Sequence, residues 1–112
     1  MIKRGDVYYI VKKNDVCDSE QRAGRPAVVV SNDKANEHSD VVEVVYLTSK
    51  YKKPMPTHVP VTSTSRNSIA LCEQISSVSV NRLGDFLCRC TDEEMQVIDY
   101  ALAISVGLCP CP

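Results

Sequence analysis

From Val41 to Ser49 the chain reads Val-Val-Glu-Val-Val-Tyr-Leu-Thr-Ser, a β-branched run whose crowded side chains favour an extended strand. A second run, Ala27-Val28-Val29-Val30, follows Arg25-Pro26 and is almost wholly apolar, which predicts a central strand covered on both faces. Two such strands demand sheet partners, and the remaining sequence supplies them. Gly5 to Val11 alternates like a strand, and Ser68 to Val80 reads as one long strand or a pair. Thr57 to Thr62 alternates but carries Pro60, which places it at an edge or a bulge. A turn near Asn81-Arg82-Leu83-Gly84 leads to a short strand over Asp85 to Cys90.

The connections are polar: a long loop from Lys12 to Gly24, a charged connector with a helical turn from Asp33 to Asp40, and a basic loop from Lys50 to Pro56. One helix closes the chain. Thr91-Asp92-Glu93-Glu94 is a capping box; Met95, Ile98, Ala101, Leu102 and Ser105 follow at helical spacing, and Gly107 supplies the stop. The expected fold class is mainly β with a C-terminal helix, a small, strongly curved antiparallel barrel with the helix packed on it. At 112 residues this is one domain, 1–112, without repeats or a linker.

Net charge is −1, so global charge selects no partner, but its distribution is uneven. Residues 1–66 carry 11 basic and 8 acidic groups (+3), and residues 67–112 carry 2 basic and 6 acidic groups (−4). The front half is the one that tolerates phosphates. No signal peptide or membrane span precedes the first strand, which predicts a cytoplasmic protein. The six cysteines then read as reduced, small apolar residues. Cys88, Cys90, Cys109 and Cys111 offer four thiolates, but Cys-x-Cys lacks the usual zinc spacing, and no metal or other cofactor is expected.

The segment Asp18-Ser19-Glu20-Gln21-Arg22-Ala23-Gly24-Arg25 is a loop of carboxylates, an amide and guanidiniums feeding a buried strand, the arrangement of a site. Arg25 begins one of the two best strands and Thr48 ends the other. If the two are antiparallel neighbours, both fall at one end of the sheet beside the Ser19-Glu20-Gln21 loop. That set suits a phosphodiester: Arg25 can clamp the non-bridging oxygens and Thr48 can donate to one. In RNA the nucleophile is already present as the 2′-OH, so the protein need only align it and stabilise the developing charge. The two histidines, His38 and His58, form no catalytic arrangement, and the glycines form no phosphate-cradling loop.

Taken in order, several segments resemble the MazF/PemK (Kid) family of toxin endoribonucleases, the mRNA interferases of type II toxin–antitoxin systems. They are Lys3-Arg4-Gly5-Asp6-Val7-Tyr8-Tyr9, Ser19-Glu20-Gln21 before Arg25-Pro26, Asn32-Asp33, Leu47-Thr48, Pro56-Thr57-His58-Val59, Glu73-Gln74-Ile75, Arg82-Leu83 and Glu93-Glu94-Met95 with Ala101 to Leu108. The resemblance covers about residues 2–108. It implies an SH3-like barrel of the CcdB/Kid/MazF kind and a homodimer. It also implies metal-independent, ribosome-independent cleavage of single-stranded mRNA, leaving 2′,3′-cyclic phosphate and 5′-OH ends. The family's catalytic pair falls on Arg25 and Thr48. Its RNA contacts fall on Ser19, Glu20, Gln21, Asn32 and Gln74, and a cognate MazE-like antitoxin would be the inhibitor. Asp18 replaces the family's glycine before Ser-Glu-Gln, Gly24 carries the loop's glycine instead, and the Cys-Pro-Cys-Pro tail has no counterpart. The alternative on the same architecture is a CcdB-type toxin that binds DNA gyrase without cutting.

Overall fold

The structure, a computed structural model, describes residues 1–12 and 24–112. Six strands form one antiparallel sheet in the order β4-β5-β3-β2-β1-β6. They are β1 (Asp6–Ile10), β2 (Arg25–Val29), β3 (Val41–Thr48), β4 (His58–Val61), β5 (Ser68–Ser79) and β6 (Leu83–Arg89). Helix α1 (Asp33–His38) connects β2 to β3, and α2 (Asp92–Ser105) closes the fold. Most of the polar loop predicted from Lys12 to Gly24 lies outside the described residues.

The two valine-rich runs are β2 and β3, and they pair in the interior of the sheet with Ala27 opposite Tyr46, Val28 opposite Val45 and Val29 opposite Val44. Their continuous apolar character has a direct cause: both faces are covered. On one face Val7, Val28, Val45, Leu47, Val59, Val61, Ala70 and Cys72 pack with Ile98 and Ala101 of α2. On the other, Ile10, Ala27, Val29, Val42, Val44 and Val78 form a second cluster, with Tyr8 and Tyr46 against it. Removing a side chain such as Val45 or Ile98 from water contributes roughly 1.5–3 kcal/mol each.

The sheet bends where registers slip. Two steps along β3, from Val45 to Leu47, are matched by five along β5, from Ile75 to Ala70. The surplus residues of β5 form a bulge that curves the strand without ending it, so Ser68 to Ser79 is one strand and not a pair. Pro60 lies in the edge strand β4, as its missing N–H requires. One sequence expectation shifts at the far edge. The turn is a 3-10 turn over Val80–Arg82, and β6 starts at Leu83, so Gly84 is a strand residue. A Cβ at Gly84 would stand 3.0 Å from the Tyr9 carbonyl oxygen, so glycine serves close strand approach there.

Helix α2 has the predicted capping box, with the Thr91 hydroxyl accepting from Glu94 N at 3.0 Å and Glu94 Oε1 accepting from Thr91 N at 2.9 Å. Its end is equally defined. Gly107 takes φ +83°, its N–H donates to Ile104 O, and Leu108 N–H donates to Ala103 O, closing the last carbonyls. Glu94 also accepts from Thr62 N at 2.7 Å and from the Ser63 hydroxyl, tying α2 to the β4–β5 loop. Burial pushes its carboxyl up, but the Ser63, Thr91 and Thr62 hydrogen bonds outweigh this and hold it at about 2. A lowered carboxylate pKa stabilises the fold above its ordinary 4.5, and the contribution disappears as pH falls toward about 2. Glu94→Gln should therefore lower stability by ~1 kcal/mol at neutral pH, a fall of about 4 °C in Tm, and flatten the acid limb of the Tm–pH curve. Thermal melts from pH 7 to pH 2 check it; an unchanged acid limb would defeat it.

Gly24 precedes β2, and a Cβ built there would stand 1.8 Å from Ile10 O. Its N–H donates to the Tyr9 hydroxyl at 3.0 Å. Gly24→Ala must push β1 and β2 apart at the end that carries Arg25, costing on the order of 2 kcal/mol. Urea denaturation should show a lower midpoint with an unchanged slope.

Candidate active site

The β2–β3 register ends at Ala27 opposite Tyr46; continued by two residues, it sets Arg25 opposite Thr48. Strand alternation then places Arg25 and Thr48 on the face that carries Ala27, Val44 and Tyr46. Both line a cavity of about 680 Å³. The walls come from chain segments far apart in sequence: Ser49, Lys50 and Lys52 after β3, Thr64 to Arg66 before β5, Ser68, Leu71 and Gln74 of β5, and Leu87 and Cys88 of β6.

Electrostatically the lining is one-sided. Arg25, Lys50, Lys52 and Arg66 face the cavity and no carboxylate among its lining residues opposes them. Ordinary surfaces intersperse the two signs, so such a concavity attracts anions before any contact is made. Hydroxyls add directional donors. Thr48 Oγ1 accepts from Lys50 N at 3.2 Å, which leaves its own proton for an acceptor in the cavity. Arg66 Nη1 reaches the Ser49 hydroxyl at 3.5 Å across the rim. Arg25 lies with its guanidinium carbon 4.7 Å from the Tyr46 ring centroid, and among the described residues it has no carboxylate partner.

The basic loop is held from behind. His58 Nδ1 lies 3.0 Å from Lys53 O and Nε2 lies 3.0 Å from Glu73 Oε2, while the Thr57 hydroxyl donates to Glu73 Oε1 at 2.9 Å. Burial raises the Glu73 pKa, yet hydrogen bonds from His58, the backbone and Thr57 bring it below its ordinary value. His58 does not line the cavity; it ties Lys53 to β5 and so fixes the loop that carries Lys50 and Lys52.

Of the residues expected at the site, Arg25, Thr48 and Gln74 come together. Asn32 does not join them. It lies past the opposite end of β2 from Arg25, where its side chain accepts from Ala35 N at 2.8 Å as the N-cap of α1. Ser19, Glu20, Gln21 and Asp18 lie outside the described residues. Arg66, Lys52 and Tyr46 were not singled out by the sequence. Arg66 is the sole cation in the run Thr62 to Asn67, which was the available signal.

Among the described residues no His, Cys, Asp and Glu side chains group as a metal site. Cys72, Cys88, Cys90, Cys109 and Cys111 are free thiols, and burial pushes Cys72 and Cys90 up to about 12. No helix among the described residues is long and apolar enough to cross a membrane.

The chain is 36% identical over 113 aligned residues to Endoribonuclease MazF of Staphylococcus saprophyticus, covering 96% of this chain and 93% of that protein. A solved structure of an endoribonuclease in complex with its cognate antitoxin, from a mycobacterial species, superposes with a TM-score of 0.83 at 29% identity over 100% of both chains. MazF of Deinococcus radiodurans shares the fold at 18% identity, with a TM-score of 0.77 over 95% of this chain and 96% of that one. Residues 3–106 match the model of the PemK-like, MazF-like toxins of type II toxin–antitoxin systems, and the chain belongs to that family.

Proposed function

We propose that this protein is a ribosome-independent endoribonuclease toxin that cleaves single-stranded RNA at a short sequence without a metal ion. The observation that carries the reading is the placement of Arg25 and Thr48 at adjacent strand ends in a cavity whose described lining residues include four cations and no carboxylate. Its relationship to a named endoribonuclease supports the same reading.

The scissile phosphate sits against Arg25, whose guanidinium edge matches two non-bridging oxygens, and Thr48 donates its hydroxyl proton to one of them. The 2′-oxygen of the preceding ribose attacks phosphorus, the P–O5′ bond breaks, and the products carry a 2′,3′-cyclic phosphate and a 5′-OH. The proton lost by the 2′-OH and the proton gained by the 5′-oxygen pass through water or the Glu20 carboxylate. Arg25 serves charge stabilisation and not proton donation, the role that a guanidinium's planar donor fork suits. Ser19, Glu20, Gln21 and Gln74 contact the bases and backbone beside the cut. Lys50, Lys52 and Arg66 hold flanking phosphates. The protein acts as a cytoplasmic homodimer, and a MazE-like antitoxin silences it by laying an acidic segment along the same cations.

Incubation with a long RNA, followed by mapping of the ends, tests this reading. Cleavage should persist in excess chelator and fail where a 2′-deoxy residue replaces the scissile ribose. Arg25→Ala and Thr48→Ala should each lower kcat by about 10²–10³-fold. Intact RNA with folded, antitoxin-free protein, or cleavage abolished by chelator, contradicts it.

Lys52→Ala and Arg66→Ala should leave kcat nearly unchanged and weaken binding of an uncleavable RNA. Each should reduce the slope of log affinity against log salt by about 0.7. A salt titration by fluorescence anisotropy reads this directly.

A further inference from the structure

The contact between Arg25 and Tyr46 has a geometry that no ordinary core tyrosine requires. Tyr46 faces the cluster of Ala27, Val29, Val42 and Val44, so its ring is held by packing, while Arg25 is exposed and begins β2. The guanidinium carbon lies 4.7 Å from the ring centroid. A strand-end arginine left to itself samples many rotamers, and a catalytic one must not.

A carboxylate partner would fix Arg25 too, but through the same N–H edge that a phosphate needs, and it would cancel the charge. An aromatic face holds the cation through its plane and leaves the N–H edge open. The alternation of β3 supplies the rest. Tyr46 and Thr48 are two residues apart on one face, so the ring that positions Arg25 and the hydroxyl that works beside it share a single strand.

We propose that Tyr46 is a positioning residue for catalysis. Its ring face holds the Arg25 guanidinium in the orientation that presents its donor edge to the phosphate beside Thr48. This rests on the nuclease reading above, and it assigns the ring, not the phenolic hydroxyl, as the acting group.

The full-length protein with a short fluorogenic RNA provides the test. Tyr46→Phe should retain at least about half of wild-type kcat, whereas Tyr46→Leu should lose about 10-fold or more in kcat with KM little changed. Because leucine at this position could loosen the core, a second series keeps the shape constant. Phenylalanine analogues with one, two and three ring fluorines at position 46 weaken the negative face stepwise. kcat should fall along that series while the melting temperature holds. In the free protein, the Arg25 Nε–H resonance should carry a ring-current shift that Tyr46→Leu removes. Equal kcat across the fluorinated series, or a Tyr46→Phe loss as large as that of Tyr46→Leu, overturns the role of Tyr46. RNA left intact by the wild-type protein defeats the nuclease reading itself, and the resonance shift still decides whether the ring holds the arginine.

Discussion

The pairing of β2 with β3 is the constraint on which the rest of this molecule depends. Both strands bury both faces, so a slip of one residue would move each valine to the opposite cluster and exchange every side chain at the strand ends. The apolar pattern therefore locks the register, with Val28 opposite Val45. Locking it has a chemical consequence two residues further on, where the continued register brings Arg25 and Thr48 to one end of the sheet and both line the cavity. The candidate site is thus positioned by the most deeply buried part of the core, although the groups proposed to work there stand at its end. A loop could carry the same two residues, but not hold them to the tolerance that phosphoryl chemistry demands.

Around that rigid pair the cavity is completed by less rigid parts, and each is held by an ionised carboxylate outside the cavity. Glu94 ties the start of α2 to Thr62 and Ser63, next to the segment that presents Arg66. Glu73 holds His58, which holds the Lys53 carbonyl in the loop that presents Lys50 and Lys52. The negative charges the fold needs are kept behind the walls. The cations are left facing inward with no carboxylate among the described lining residues. Such uncompensated charge costs stability through mutual repulsion, and its persistence in one concavity is the mark of a surface shaped for an anion.

Much of the fold was legible in the sequence because its signals were local. The β-branched runs, Pro60, the Thr91–Glu94 capping box and Gly107 each declare a conformation through their own sterics or hydrogen bonding, and each appears where expected. The position of Arg25 relative to Thr48 was legible only conditionally, through the assumption that two adjacent apolar strands are neighbours. Gly84 misled because glycine marks a turn and a close strand approach alike, and only the nearby Tyr9 carbonyl decides between them. Asn32 lies apart from the cavity, and its side chain caps the first turn of α1. Arg66 and Tyr46 were invisible for a different reason. Their importance lies in what faces them across the fold, and no periodicity records that.

Among the described residues Arg25 has no carboxylate partner, and that is as informative as the pairs that do form. Arg4 and Arg89 of the same chain are paired with Asp99 and Asp6 and act as structural cations. Arg25 has instead an aromatic face, which orients without neutralising. A pairing carboxylate would stabilise the resting protein and oppose the phosphate, because the substrate would first have to displace it. The ring demands no such exchange. Among the described residues no carboxylate occupies the donor edge of Arg25 or cancels its charge, so the proposed phosphate contact would need little reorganisation there.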